Sequence, residues 1–425
     1  MYDTGSTAFM LVCTMLVLFM TPGLAFFYGG LARRKNVVNT MLMCFAAIGI
    51  VGLAWVAAGW SFAYGGDGSL SWFGGLDQLG LSGLVDGMLG EAADVPADAT
   101  YPSVVDVCFQ MAFAMITAAI VTGSVAGRMR FGAVSAFLVV WVLVVYAPLA
   151  HMVWGGEGSL IGGVIGALDF AGGDVVHISS GVTGLILCLA LGARSDFGLR
   201  SSRPHNVPFV ALGAGLLWLG WFGFNGGSEF AADGVAALAI LNTAVSSAAG
   251  LVSWILVERV ATGKPTLVGA CTGLVAGLVV VTPGAGFVEP WAAVVMGLVV
   301  SPVCYLAISR LKARFGYDDA LDAFGCHGVG GILGGLLTGL FCVPELSWTG
   351  AGGLLYTGDP SLLASQVAGI AVTLAIVVVL DLLIVAAVRL AFGGRLRVTD
   401  HEEALGLDVS EHGESAYPTF NGLDA

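Results

Sequence analysis

Long apolar stretches, threaded with glycine and separated by short connections that hold most of the charge, run the length of this chain. A helix that crosses a bilayer needs roughly 20 mainly apolar residues. Eleven segments reach that length, at residues 8–31, 37–64, 102–127, 131–150, 175–193, 207–229, 235–259, 266–283, 287–310, 323–342 and 364–392. The pattern predicts an all-α polytopic membrane protein with eleven transmembrane helices over residues 1–395, followed by a polar tail over 396–425.

The basic residues test this spacing. Arg33, Arg34 and Lys35 follow the first segment, Arg128 and Arg130 the third, and Arg194, Arg200 and Arg203 the fifth. Arg259 and Lys264 follow the seventh, Arg310, Lys312 and Arg314 the ninth, and Arg389, Arg395 and Arg397 end the eleventh. These are all 16 basic residues of the chain, and one mistaken span would scatter them over both sides. The positive-inside rule then puts the end of every odd span in the cytoplasm, with the N-terminus extracellular and the tail cytoplasmic, across the cell membrane. The opening Met1-Tyr2-Asp3-Thr4-Gly5 has no basic n-region, so the first span is expected to be retained rather than cleaved as a signal peptide. The opposite connections carry acids with no base among them: Asp3, Asp67, Asp77, Asp86, Glu91, Asp94, Asp98, Glu157, Asp169, Asp174, Asp233, Glu289, Glu345 and Asp359, with Asp106 and Glu229 near span ends. Such acids suit either solubility in a salty exterior or attraction of cations to a pore mouth, an attraction that salt would screen.

Composition narrows the class. With 57% hydrophobic and 11% charged residues and a mean hydropathy of +0.92, the chain has a lipid bilayer as its medium. Sixty-four glycines inside apolar runs argue for closely packed helices, and exclude neither order nor span formation. A collagen, a nucleic-acid-binding protein and a disulfide framework are all excluded. The eight cysteines sit singly within apolar segments without a CxxC pair, which predicts small core residues and neither metal nor other cofactor.

Two echoes suggest an internal repeat. Phe26-Phe27-Tyr28-Gly29-Gly30 ends the first span, and Phe222-Gly223-Phe224-Asn225-Gly226-Gly227 ends the sixth. Ala167-Leu168-Asp169-Phe170 precedes the fifth span, and Ala320-Leu321-Asp322-Ala323-Phe324 precedes the tenth, each followed within the span by a histidine, His177 and His327. An offset of five spans is odd, so the second copy is inverted, giving an inverted 5+5 pseudo-repeat plus one extra helix, with a site between the repeats.

Ionisable groups inside spans are costly in hydrocarbon and point to function. His177 and His327 are expected to meet on the central axis, where two neutral imidazoles can share a proton. Asp381 has no base nearer than Arg389 and is expected to make an interhelical hydrogen bond without a transport role. No third ligand stands at helical spacing to make the histidines a metal site. Aromatic residues gather at the acidic end. Phe109 and Phe113 lie one turn apart on a face shared with Asp106, Trp154 lies just beyond the fourth span, and Trp221, Phe224 and Ser228 close the sixth. With no Lys or Arg on that side, the group resembles a cage for a small cation between ring faces and a hydroxyl.

These residues resemble the ammonium transporter (Amt/Mep/Rh) family, in particular its prokaryotic Amt branch. The resemblance is carried by Asp169-Phe170-Ala171-Gly172-Gly173-Asp174-Val175-Val176-His177, running on to Gly192-Ala193-Arg194, and by Phe27-Tyr28-Gly29-Gly30 and Pro204-His205-Asn206. It continues in Gly220-Trp221-Phe222-Gly223-Phe224-Asn225, Gly263-Lys264-Pro265, Phe324-Gly325-Cys326-His327-Gly328 and the segment from Gly406 to Glu414. It implies a homotrimer with one pore per subunit, ammonium or ammonia as substrate with methylammonium as an analogue, and a tail that contacts a PII-type signalling protein. By position, Phe113, Trp154 and Ser228 resemble the external ammonium site, with Phe109 and Trp221 beside it. Phe113 and Phe224 resemble the phenyl gate, His177 and His327 the twin-histidine pore, and Asp169 the carboxylate that supports recruitment and deprotonation. Asp106, Glu229 and the connection from Trp154 to Asp169 depart from the family pattern. The alternatives are a Rh-like channel for neutral gas and an ammonium sensor signalling through its tail; an enzyme is not expected, since no Ser/His, Asp/Asp or His-Glu-x-x-His arrangement lies in the spans.

Overall fold

The computed structural model describes residues 2–66, 70–85, 100–198 and 203–417; Asp67, Asp86, Glu91, Asp94, Asp98, Arg200 and tail residues 418–425 lie outside the described residues. Among the described residues the protein is all-α, with 11 helices long and apolar enough to cross a membrane. They run Thr4–Leu31, Arg34–Tyr64, Ser103–Val125, Phe131–Trp154, Gly173–Leu191, Val207–Gly227, Gly234–Ala261, Leu267–Gly284, Pro290–Phe315, Phe324–Phe341 and Ser361–Ala391, here called spans one to eleven. Span four ends later than its apolar pattern suggests and takes Trp154 as its last residue.

Polar residues just before the spans start them. Asp3 Oδ2 accepts from the Ser6 amide at 2.6 Å, Asn206 Oδ1 from Phe209 at 3.0 Å, and Thr266 Oγ1 from Gly269 at 2.9 Å. Asp233 Oδ1 accepts from both Val235 and Ala236 at 2.9 and 3.0 Å. Each satisfies amides that a helix leaves bare in its first turn.

The two halves correspond in their local geometry. Spans five and ten each open with a π-helical turn, Gly173–Ile178 and Phe324–Gly328, and each continues as a 13-residue α-helix, Ser179–Leu191 and Val329–Phe341. His177 and His327 sit in these turns, where an extra residue per turn redirects side chains, a device common at functional sites. Spans one and six, the other corresponding pair, pack along most of their lengths.

Glycine makes these approaches possible. A Cβ on Gly213 would lie 2.2 Å from the Phe27 amide nitrogen, and one on Gly181 would lie 2.3 Å from that of Gly328. Backbone therefore meets backbone between spans one and six and between spans five and ten, as expected where apolar surface gives no net gain over lipid and close packing must hold helices together.

At the basic end the tail folds back on the bundle. Asp408 Oδ1 accepts from the Asn39 amide at 2.8 Å, Leu407 N donates to Asn36 Oδ1 at 2.9 Å, and Glu411 Oε2 accepts from the Phe131 amide at 2.9 Å. The acids thus cap the starts of spans two and four. In the connection after span nine, Lys312 is engaged elsewhere, with Asp322 Oδ1 at 2.7 Å. The first amides of a helix offer fixed donors and a positive dipole end, which a short acidic segment reaches without ordering long basic side chains.

Candidate functional site

At the acidic end a cavity of about 820 Å³ is lined by Phe113, Trp154, Asp169, Phe170, Ser228 and Trp348, among others. Trp154 is fixed by its Nε1, which donates to the Asp169 carbonyl at 2.8 Å, and its ring stands edge-on to Phe113 with centroids 6.3 Å apart. Ser228 Oγ donates to the Phe224 carbonyl at 2.8 Å, which commits its hydrogen and leaves its lone pairs as acceptors. A cation in this cavity meets ring faces, a hydroxyl oxygen and no base.

Phe113 and Phe224 close the floor. Both are fully buried, and their rings stack with centroids 3.9 Å apart and planes 11° from parallel. Immediately below, the His177 ring lies 6.2 Å from Phe224 and 5.4 Å from Trp221, with planes 19° and 28° from parallel, and Trp221 Nε1 donates to Thr282 Oγ1 at 3.0 Å. His177 Nδ1 and His327 Nδ1 are 3.3 Å apart. One nitrogen must carry the hydrogen and the other accept it, so the pair fixes opposite tautomers. The adjoining void, lined by Leu24, Ile120, Val176, Leu217, Trp221 and Phe224 among others, measures about 10 Å³, the size of a single water. His327 then borders a further cavity of about 430 Å³ at the basic end, with Tyr28, Arg194, Lys312 and Asp322 on its walls. Burial pushes the Asp322 carboxyl up to about 6, against the pull of Lys312.

Asp169 belongs to the loop that leads into span five. Its Oδ1 accepts from the Gly172 and Gly173 amides at 2.8 and 2.6 Å, and its Oδ2 from Asp174 at 2.8 Å. Gly172, at φ +116°, adopts a conformation that L side chains rarely take, so the turn needs a glycine there. The carboxylate builds this turn while its own main-chain carbonyl orients Trp154.

The geometry sorts the remaining candidates differently from their spacing. Phe113, Trp154, Ser228 and Asp169 share the upper cavity. Trp221 does not line it and lies beneath the phenyl stack against His177. Phe109 backs the site, its ring 4.7 Å from Phe113 and 5.8 Å from Phe230, without lining the cavity. Asp106 faces a neighbouring cavity, where Tyr101 Oη donates to its Oδ1 at 2.5 Å. Asp174 is buried in the first turn of span five instead of lying in an open connection. Asp381 is fully buried on span eleven beside Thr183 of span five and Trp141 of span four, which are themselves linked by Trp141 Nε1 donating to Thr183 Oγ1 at 3.0 Å. Glu229 is half-buried, and burial with Asp233 nearby pushes its carboxyl up to about 7. Phe170 and Trp348, stacked at 5.7 Å, are wall residues that the sequence reading missed. Phe170 was within reach, since it follows Asp169 directly; Trp348 stands in a loop with no signal of its own. Among the described residues no group of three metal-ligating side chains exists.

The Ammonium Transporter Family profile matches residues 8–417. An ammonium transporter of Bacillus subtilis (strain 168) is 49% identical over 413 residues, covering 97% of this chain and 98% of the relative. Among solved structures, Saccharomyces cerevisiae Mep2 superposes with a TM-score of 0.88 at 32% identity, covering 99% of this chain and 93% of that one. A protein described as a sensor Amt protein superposes with a TM-score of 0.85 at 28% identity, covering 96% of this chain and 98% of that one. The matched family is one of transporters rather than enzymes, and the curated relative is named an ammonium transporter. This chain is a member of the ammonium transporter family.

Proposed function

We propose that this protein takes up ammonium across the cell membrane, with its acidic end outside and its basic end and tail in the cytoplasm. The ion rests among Phe113, Trp154 and Ser228. Rotation of Phe113 and Phe224 admits it toward His177, and there it loses one proton, because a charged ion cannot be solvated in an apolar space the size of one water. Neutral ammonia then passes His177 and His327 to the cavity at the basic end. The proton crosses along the paired imidazoles: it binds the outer Nε2 of the ring whose Nδ1 carries the shared hydrogen, that hydrogen moves to the Nδ1 of the second ring, and the second ring releases its own Nε2 proton toward the basic end, so that ammonia and proton arrive together. Asp169 keeps the outer loop in shape and lends negative charge to the ion's resting place. The protein works as a homotrimer with one pore per subunit, and residues 396–425 form a regulatory tail that responds to a PII-type partner. Methylammonium, one methyl larger, enters the same cavity.

The observation that carries this reading is the order of the parts: an aromatic cavity with a free acceptor, a stack of rings at 3.9 Å, and a histidine pair at 3.3 Å, in line between two cavities. A channel for neutral gas alone has no need of Trp154 and Ser228 as cation partners. Sensing through the tail is the second reading, favoured by the tail's docking on spans two and four and by the likeness to a sensor Amt protein. The test is ammonium-evoked current from purified protein in liposomes on a supported membrane, beside His177→Asp. Transport with co-transferred protons gives a saturable current that the variant alters in size or ion selectivity. Absence of both current and internal alkalinisation in the wild type would favour a sensor.

A further inference from the structure

A second cavity, of about 260 Å³, lies beside the larger one and is lined by Trp60, Tyr64, Tyr101, Asp106, Gln110 and Phe230. Tyr64, Gln110 and Phe230 line both, so the two spaces share a wall. We propose that this neighbouring cavity is a second binding site for a small monovalent cation of the ammonium class, which holds the ion before it moves to Phe113, Trp154 and Ser228. The inference rests on the ammonium reading above.

The acceptors come first. Asp106 and Gln110 are four residues apart in span three and therefore project from one helix face. Asp106 has one hydrogen-bond donor, Tyr101, and takes part in none of the ion pairs among the described residues. Its negative charge is left for a ligand to balance. Gln110 is 5% exposed, and its Oε1 is buried without a hydrogen-bond partner among the described residues, as is the Tyr64 hydroxyl. Leaving such groups unpaired is costly, so their accumulation around one cavity marks a place where something else supplies the hydrogens. An ammonium ion offers four.

The rings complete the cage. Trp60 and Tyr64 lie 4.8 Å apart, and Trp60 is anchored by its Nε1 donating to Gln78 Oε1 at 2.5 Å. Phe230 is held at φ +59°, a left-handed conformation that is strained for a bulky residue. That conformation brings its ring 5.8 Å from Phe109 and makes it the partition between the cavities. A carboxylate, an amide oxygen and aromatic faces together favour a cation.

Two measurements on the full-length protein test this. In liposomes, Asp106→Asn should raise the half-saturating ammonium concentration roughly tenfold at unchanged maximal current, the loss of one charge-assisted hydrogen bond, and Asp106→Glu should restore most of it. The shift should persist in molar N-methyl-D-glucamine chloride, where a Debye length of ~3 Å removes distant fields. A shift that vanishes there, or no shift at all, would mean that Asp106 acts only from afar or not at all. Independently of transport, crystals soaked in thallium(I) should show an anomalous peak between Asp106 and Gln110 that Asp106→Asn removes. Its absence would overturn the site. A wild type with the peak and without ammonium current would reject the transport reading while keeping the cation site.

Discussion

His177 Nδ1 and His327 Nδ1 meet at 3.3 Å because their spans cross at Gly181 and Gly328, where neither backbone has a side chain in the way. The hydrogen bond and the glycine contact are one feature: the second sets the separation that the first requires.

Gly181→Ala tests this dependence. Its Cβ would lie 2.3 Å from the Gly328 nitrogen, a contact that only backbone movement relieves. The strain should cost ~1–3 kcal/mol of stability. By separating the imidazoles, it should also lower transport roughly 10- to 100-fold. Thermal unfolding and ammonium current measured on the same preparation check both; a destabilised protein with full current would show that the histidine spacing is not critical.

Trp154→Leu should weaken ammonium affinity and leave assembly intact. The variant removes a ring face worth ~0.5–2 kcal/mol to a partly desolvated cation, equivalent to a rise of ~2- to 30-fold in the half-saturating concentration. An unchanged concentration dependence would dismiss the cavity as the ion's resting place.

Glu229 should make the protein sensitive to pH near neutrality. Its carboxyl is held up to about 7 by burial and by Asp233, above its ordinary 4.5. For a group raised in the folded state, the stabilising contribution is fully present below pH 4.5 and is lost as pH rises through about 7. Unfolding temperatures of the wild type should therefore decline over this window more steeply than those of Glu229→Gln. Parallel curves for the two proteins would show that Glu229 titrates elsewhere.

Removing residues 401–425 should uncover the first turns of spans two and four, which Asp408 and Glu411 cap. Each lost cap costs ~0.5–2 kcal/mol. Transport should fall strongly while trimers persist, and the response to a PII-type protein should be lost. Lys35 Nζ, which donates to the Glu403 and Ala404 carbonyls at 2.6 and 2.8 Å, offers a milder variant, Lys35→Met, expected to give an intermediate loss. Full current from the truncated trimer would reduce the segment to a solvated end.

Much of the architecture is legible in the residues alone. Run length places the spans, since a bilayer of fixed thickness admits only helices of about 20 apolar residues. The alternation of charge between connections agrees with those spans, and the echo before spans five and ten foreshadows their matching π-turns. The aromatic and histidine residues announce themselves by type, because polar or amphipathic groups inside hydrocarbon are costly enough to need a purpose.

What the tertiary structure alone decided is which of these residues meet. Trp221 faces His177 and not the upper cavity, Asp106 opens into a space of its own, and Asp174 is buried. Trp348 arrives from a distant loop to stack on Phe170, and the tail acids choose helix starts over basic loops. The physical reason lies in the solvent. In a soluble helix the contrast between apolar and polar positions tells which face is inside. In a bilayer the lipid-facing and packed faces are both apolar, so length and residue type survive in the sequence while direction does not. Direction is set by where glycines let backbones touch, and that is a property of pairs of spans.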